Sequence, residues 1–222
     1  ALASRLQKSS RFDFRGVLTH AGQSYDATNS MEARAVALDE VAVTRTFIEK
    51  LAEAKIEVPE TSIGSTPTAS AAENLDGIDE IRPGNYAFFD VFQDAIGSCS
   101  ADDIAFTVLA TVISVHPGEE RAVIDAGALA LSKDPGPTHV DPDCGYGRIV
   151  AVEDQHPLPG LRLSSISQEH GVIDGPGTAA LRPGTHLRIL PNHSCLAAAC
   201  FESYHVLRGT EIIDEWHPFR GW

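Results

Sequence analysis

FRGVLTHAGQSYDATNS, Phe14 to Ser30, passes from a short strand, FRGVLTH, through a polar glycine-containing loop to the start of a helix. Asn29 stands three residues before Glu32, the spacing at which an N-cap side chain and a first-turn carboxylate close a helix end. Beyond it, Val36, Val43, Phe47 and Leu51 recur at helical spacing, an apolar stripe expected to pack on a sheet, with Glu49, Lys50 and Glu53 off it. IEVPETSIG (56–64) reads as a second strand running into STPTAS, and IDEIRPGNYAFFD (78–90) as a third. Strand and helix therefore alternate, which implies a parallel sheet. Three parallel strands with bare edges make a poor layer, so the pattern also predicts further strands upstream.

After Asp94 the character changes. FTVLATVISV, RAVIDAG, GRIVAV, LRLSSIS, HLRIL and YHVLRG are short β-branched runs divided by Gly, Pro and Asp turns, and none is a periodic segment of helix length. The second half reads as an all-β domain, with the boundary near DAIGSCSADD (94–103). The expected fold is thus α/β followed by all-β, divided into residues 1–94 and 95–222.

The 222 residues suffice for one large or two small domains. A formal net charge of -14, with its few basic residues scattered, excludes an electrostatic footprint for nucleic acid or an anionic membrane surface. No apolar run reaches membrane-spanning length, and ALASRLQKSSRFDFRG lacks the apolar centre of a secretory signal, so a cytoplasmic protein is expected. Cys99, Cys144, Cys195 and Cys200 show no C-x-x-C spacing, which argues for a reducing compartment rather than a disulfide framework.

LRILPNHSC (187–195) carries the sharpest chemistry. If the strand stays extended through it, His193 and Cys195 point to one face, where imidazole and thiolate can hold a zinc-type ion with coordination positions left open. The alternative is a hydrogen-bonded histidine and a small apolar cysteine. Other loops add candidates, each with a plain turn as its alternative. SIGSTPT (62–68) offers a glycine, hydroxyls and backbone amides just before a helix start, the chemistry of a phosphate cradle. RPGNY (82–86) presents Asn85 and Tyr86 after a turn, and HAGQSY (20–25) offers His20, a glycine and Tyr25; in a β/α barrel all three loops would line one rim. In DAGALALSKD (125–134) a carboxylate can orient a metal-bound histidine, and in QEHG (168–171) Glu169 and His170 can serve acid/base or supporting roles.

Taken in order, HAGQSY, SIGSTPT, RPGNY, LATVISV, DAGALALSKD, SQEHG and LPNHSC resemble the carboxyl-terminal half of the metal-dependent D-serine dehydratase and D-threonine aldolase family. The likeness runs from about residue 12 to Trp222 and includes the RGW ending. The resemblance implies a pyridoxal 5′-phosphate enzyme of fold type III: the last part of an alanine-racemase-like β/α barrel followed by a β domain, acting as a homodimer. It places the cofactor phosphate on Ser65, Thr66, Gly84, Asn85 and Tyr86, and zinc on His193 and Cys195, which act in catalysis through the metal. Cys195 is similar to the dehydratase branch, whereas aldolases tend to carry aspartate there, so the implied reaction is dehydration of D-serine to pyruvate and ammonia. Retro-aldol cleavage of a D-threonine-type substrate is the family's other reaction.

One family feature is missing. The Schiff-base lysine belongs to a K-T-H-K-like motif after the first barrel strand, and neither that motif nor a matching position exists among Lys8, Lys50, Lys55 and Lys133. The chain by itself is therefore expected to be inactive and to need a complementing amino-terminal barrel segment. Two other readings remain open at this stage: a non-catalytic metal-binding or assembly module derived from the family, and a zinc hydrolase built on the same H-x-C.

Overall fold

The computed structural model describes residues 1–219; the RGW ending, Arg220 to Trp222, lies outside them. Two compact units are present, one comprising Ala1–Tyr86 with Ile96–Ser98, the other Ala87–Ala95 with the chain from Cys99 onward.

The first unit contains α1 (Leu2–Gln7), β1 (Gly16–Leu18), α2 (Ser30–Glu53), β2 (Glu60–Ile63), α3 (Thr66–Ala71) and β3 (Glu80–Ile81). The strands form a parallel sheet in the order β1-β2-β3, with Leu18 opposite Ser62 and Ser62 opposite Glu80. At the start of α2 the Asn29 side-chain oxygen Oδ1 accepts from the Glu32 amide at 3.1 Å, while the Glu32 carboxylate accepts from the Thr28 amide and hydroxyl. Those bonds hold the Glu32 carboxyl below its ordinary range.

The apolar stripe expected on α2 is corrected by the structure. The buried residues are Ala33, Ala37, Glu40, Val41, Thr44 and Leu51, whereas Val43 is 58% and Phe47 50% exposed. Small residues allow a helix to approach a neighbouring layer closely, so Ala33, Ala37 and Thr44 take the packed side and the bulkier stripe becomes its flank. Only Leu51 belongs to both sets.

The second unit contains α4 (Val91–Ala95), β4 (Val108–His116), β5 (Arg121–Ile124), α5 (Ala128–Leu131), β6 (Arg148–Val150), β7 (Arg162–Ile166), β8 (Gly171–Asp174), β9 (His186–Leu190), α6 (Ser194–Ala198), β10 (Tyr204–Arg208) and β11 (Glu211–Trp216). Six strands form an antiparallel sheet in the order β6-β9-β4-β5-β8-β7, and β10 and β11 form a separate hairpin. The Tyr146 amide donates to the Leu163 carbonyl at 2.9 Å, which ties the approach to β6 onto β7 and brings the two sheet edges together. The sheet is a nearly closed barrel, an arrangement that leaves little edge to pair with other chains.

Alternation builds its core. On β4, Val108, Ala110 and Val112 point inward while Leu109 and Ile113 face out, and Ile124, Leu163, Ile173, Leu187 and Ile189 join the same cluster. Each such aliphatic side chain stabilises the fold by roughly 1.5–3 kcal/mol through burial. Phe88 and Tyr204 pack with Phe106 against this core, with Tyr204 edge-on to both phenylalanines. The architecture is that expected, a barrel portion followed by a β domain. Among the described residues no helix is long and apolar enough to cross a membrane.

Candidate functional site

In the first unit the loops after β1, β2 and β3 follow the carboxyl ends of parallel neighbours. The loop after β1 forms a 3-10 turn, Gly22–Asp26, that buries Ser24. The loop after β2 enters α3, where Ser65 is the N-cap and its hydroxyl accepts from the Thr68 amide at 3.2 Å. The Ser65 hydroxyl also lies 3.1 Å from that of Ser24 and 2.8 Å from that of Thr68. From the loop after β3, the Asn85 amide donates to Thr66 Oγ1 at 3.0 Å. Hydroxyl contacts thus join all three loops.

Two supports hold this arrangement from behind. Glu40, buried on α2, accepts from the Thr19 hydroxyl at 2.8 Å and from the Gly64 amide at 3.4 Å. Gly64 itself lies against β3's loop, since a Cβ there would sit 2.9 Å from Arg82 Cβ and 3.0 Å from its carbonyl oxygen. Arg82 Nε donates to the Ser62 hydroxyl at 2.7 Å, and the guanidinium also donates to the Thr19 carbonyl.

Of the sequence-predicted phosphate residues, Ser65, Thr66 and Asn85 are buried in one network. Gly84 and Tyr86 flank Asn85 and are exposed. His20 is exposed at the rim, with its ring centroid 6.4 Å from that of Tyr25. Ser24, Thr68 and Glu40 were not singled out in the sequence reading, although Ser24 lies inside HAGQSY and Thr68 inside SIGSTPT. The donor set suits a phosphate. Thr66 Oγ1 accepts from Asn85 and so keeps its hydrogen to give, and the backbone amides of Ser65 and Thr66 lie where a helix begins and leaves N–H groups unused.

In the second unit the structure departs from the expected extended H-x-C. β9 ends at Leu190, His193 is the N-cap of α6, and Cys195 lies inside that short helix. Pro191 has no N–H with which to continue a ladder, and the Ala197 amide turns back to the His193 carbonyl at 3.1 Å. The two side chains nevertheless lie near each other, close enough for the Cys195 thiol to help raise the imidazole pKa.

Asp134 fixes the ring. Its Oδ2 lies 3.0 Å from His193 Nδ1, and its Oδ1 accepts from the Gly136 amide at 2.8 Å. Buried Asn192 donates through Nδ2 to the carbonyls of Asp134, at 3.3 Å, and Gly145, at 2.8 Å. Gly136, at φ +73°, rests on the Asn192 amide so closely that a Cβ would come within 2.5 Å of Nδ2. The Asp134 carboxylate, followed by the Cys195 contact, raises the His193 pKa to about 10, and the same contact with His193 lowers that of Asp134.

Hydrogen bonding at Nδ1 leaves Nε2 for a metal, the arrangement found when a carboxylate supports a metal-bound histidine. An imidazole nitrogen beside a thiol is a zinc-type donor pair, so the residues fit such an ion. Among the described residues no group of three or more His, Cys, Asp or Glu side chains is placed to hold a metal ion.

Other sequence candidates have plainer places. Asp125 accepts from the Thr111 amide at 2.6 Å, so in DAGALALSKD it is the last carboxylate, Asp134, that reaches a histidine. Glu169 and His170 are exposed in the turn joining β7 to β8, closed by a 2.8 Å bond from the Ser167 amide to the His170 carbonyl. Lys8, Lys50, Lys55 and Lys133 are all exposed. All four cysteines are free thiols, with Cys195 and Cys200 exposed.

Comparison with known proteins matches two families along the chain. The alanine racemase N-terminal domain family matches residues 1–91 and the serine dehydratase domain family residues 105–207. The D-threo-3-hydroxyaspartate dehydratase of a Delftia species is 41% identical over 214 residues, covering 93% of this chain and 56% of the relative. The D-serine dehydratase of Dictyostelium discoideum is 37% identical over 221 residues, covering 95% and 55% respectively. The crystal structure of an alanine-racemase-like protein from Idiomarina loihiensis superimposes with a TM-score of 0.90 at 36% identity, over all of this chain and 59% of that one. The Delftia dehydratase has also been solved with a cysteine changed to alanine, in a metal-free form, and with a histidine two positions before that cysteine changed to alanine. The chain spans little more than half the length of these relatives.

Proposed function

The chain belongs to the alanine-racemase-like, fold type III family, and from that premise we propose that it works as the carboxyl-terminal part of a lyase dependent on pyridoxal 5′-phosphate and zinc. The substrate is a D-hydroxyamino acid, and the reaction is dehydration of D-serine to pyruvate and ammonia. One observation carries this reading: His193 is held at Nδ1 by Asp134 with the Cys195 thiol beside its ring. The related dehydratase with a histidine and a cysteine at the same spacing, metal-free as its cysteine variant, supports it.

The chain's own residues divide the work. Ser65 and Thr66, with Gly84, Asn85 and Tyr86 beside them, bind the cofactor phosphate through hydroxyls and amides. Asp134 keeps the imidazole oriented, and His193 must release its ring proton before it can ligate. Pyridoxal phosphate, when bound, supplies an electron sink for the charge left when the α-proton is removed. Zinc, when bound, supplies Lewis acidity toward the departing β-hydroxyl. A Schiff-base lysine comes from a complementing amino-terminal barrel segment, and the working form is a cytoplasmic homodimer. The exposure of all four lysines favours a second reading for this chain on its own, a metal-binding module without chemistry.

Zinc titration calorimetry of the chain, beside His193→Ala and Cys195→Ala variants, tests the metal pair. Pyruvate release from D-serine, in a preparation completed by the lysine-bearing barrel segment of a relative, tests the reaction. The reading expects one zinc per chain, lost in both variants, and activity that disappears on chelation. Equal zinc binding by all three proteins, or activity indifferent to chelators, would overturn it.

A further inference from the structure

Asp90 lies far from His193 in sequence, yet it is almost completely buried and both of its carboxylate oxygens accept backbone hydrogen bonds. Oδ1 accepts from the Gln93 amide at 3.0 Å, which caps the start of α4. Oδ2 accepts from the Ser194 amide at 2.9 Å, and Ser194 is the first residue of α6, between His193 and Cys195. One side chain thus closes two helix starts. The flanking backbone repeats the attachment, with the Val91 amide donating to the Pro191 carbonyl at 3.1 Å and the Phe92 amide to the Asn192 carbonyl at 3.4 Å.

We infer that Asp90 is the positioning residue of the His193 and Cys195 pair: its carboxylate sets where α6 begins, and so the spacing at which imidazole and thiol face one ion. The inference rests on the proposed metal reading. The physical argument is that a five-residue helix has too few internal bonds to fix its own first turn, so an external acceptor decides which residue starts it. A carboxylate serves both amides because each oxygen accepts independently. Backbone amides at a helix start also favour its negative charge. Asp134, whose backbone carbonyl accepts from Asn192, orients the imidazole; Asp90 fixes the backbone that carries both ligands.

Asp90→Ser separates this role from ordinary capping. Serine is itself an effective N-cap and can still reach the Gln93 amide, but it is too short to hold Ser194 as well. Zinc titration calorimetry of the chain is expected to show affinity falling tenfold or more in Asp90→Ser, the range found when support around metal ligands is lost. Amide hydrogen exchange should remain slow at Gln93 and become fast at Ser194. Asp90→Asn keeps one acceptor and the side-chain shape, and should fall between the serine variant and the parent.

Unchanged zinc affinity in Asp90→Ser would overturn the inference, as would fast exchange at Ser194 in the parent chain, a measurement that needs no variant. If the parent chain binds no zinc while Ser194 exchanges slowly, the metal reading fails and Asp90 remains a helix cap only.

Discussion

Replacing Asp134 with asparagine should change how the stability of the metal-free chain depends on pH. In the folded chain His193 is raised from 6.5 to about 10, chiefly by the Asp134 carboxylate. A group whose folded pKa exceeds its unfolded value contributes stability that is complete below the unfolded pKa and lost as pH climbs through the folded one. The contribution should therefore be whole below pH 6.5, decline between 6.5 and about 10, and be absent above that. The Asp134 carboxyl, lowered by the same contact, loses its share only as pH falls through acid values below 3.8. Each tenfold shift in protonation is worth ~1.4 kcal/mol, so the unscreened ceiling is roughly 5 kcal/mol. The His193 side chain is 39% and that of Asp134 25% exposed, and solvent screening brings the expected contribution down to about 1–2 kcal/mol. Urea unfolding in the presence of a chelator at pH 6, 8 and 10 measures it. The parent should lose stability toward pH 10, and Asp134→Asn should show a flatter profile, with the His193 ring titrating nearer its ordinary value by NMR. Identical profiles for the two proteins would refute the reasoning.

Zinc must displace the proton that His193 holds up to about pH 10, so calorimetric zinc affinity should rise with pH from 7 to 9; a flat dependence would remove His193 from the ligands. Thr66→Val deletes the acceptor of the Asn85 amide and the hydroxyl offered to phosphate. It should cost about 1–3 kcal/mol in urea unfolding and weaken pyridoxal phosphate binding by fluorescence, while unchanged binding would exclude Thr66 from the cradle. Ile189→Ala, in the fully buried wall of the β barrel, should destabilise by about 2–5 kcal/mol with zinc stoichiometry retained in the folded protein. A loss below 1 kcal/mol would show that the core there is loose.

The sequence made the architecture legible where local signals agreed with long-range packing. Asn29 and Glu32 mark the start of α2, and the β-branched run FTVLATVISV marks β4. It misled where size was taken for burial: Val43 and Phe47 are large and apolar, but the packed side of α2 belongs to Ala33, Ala37 and Thr44. The proposed ligand pair, His193 and Cys195, was visible as H-x-C because the two residues are near neighbours in the chain. Its geometry was not, because Pro191 and a distant carboxylate, Asp90, turn the strand into a helix start. Asp134 lay within a marked segment, but only the fold selects it over Asp125. In the cradle, Ser65 and Thr66 carried the signal of a hydroxyl-rich loop before a helix, whereas Glu40 lies on the helix before it and nothing local connects it to Gly64.

The most direct test of the whole reading is X-ray absorption at the zinc edge on the zinc-loaded chain, with Cys195→Ala alongside. One sulfur near 2.3 Å and an imidazole nitrogen near 2.0–2.1 Å are expected, with the sulfur shell absent from the variant. A spectrum with only nitrogen and oxygen neighbours, or a sulfur shell that survives Cys195→Ala, would contradict the assignment of His193 and Cys195 as the metal pair.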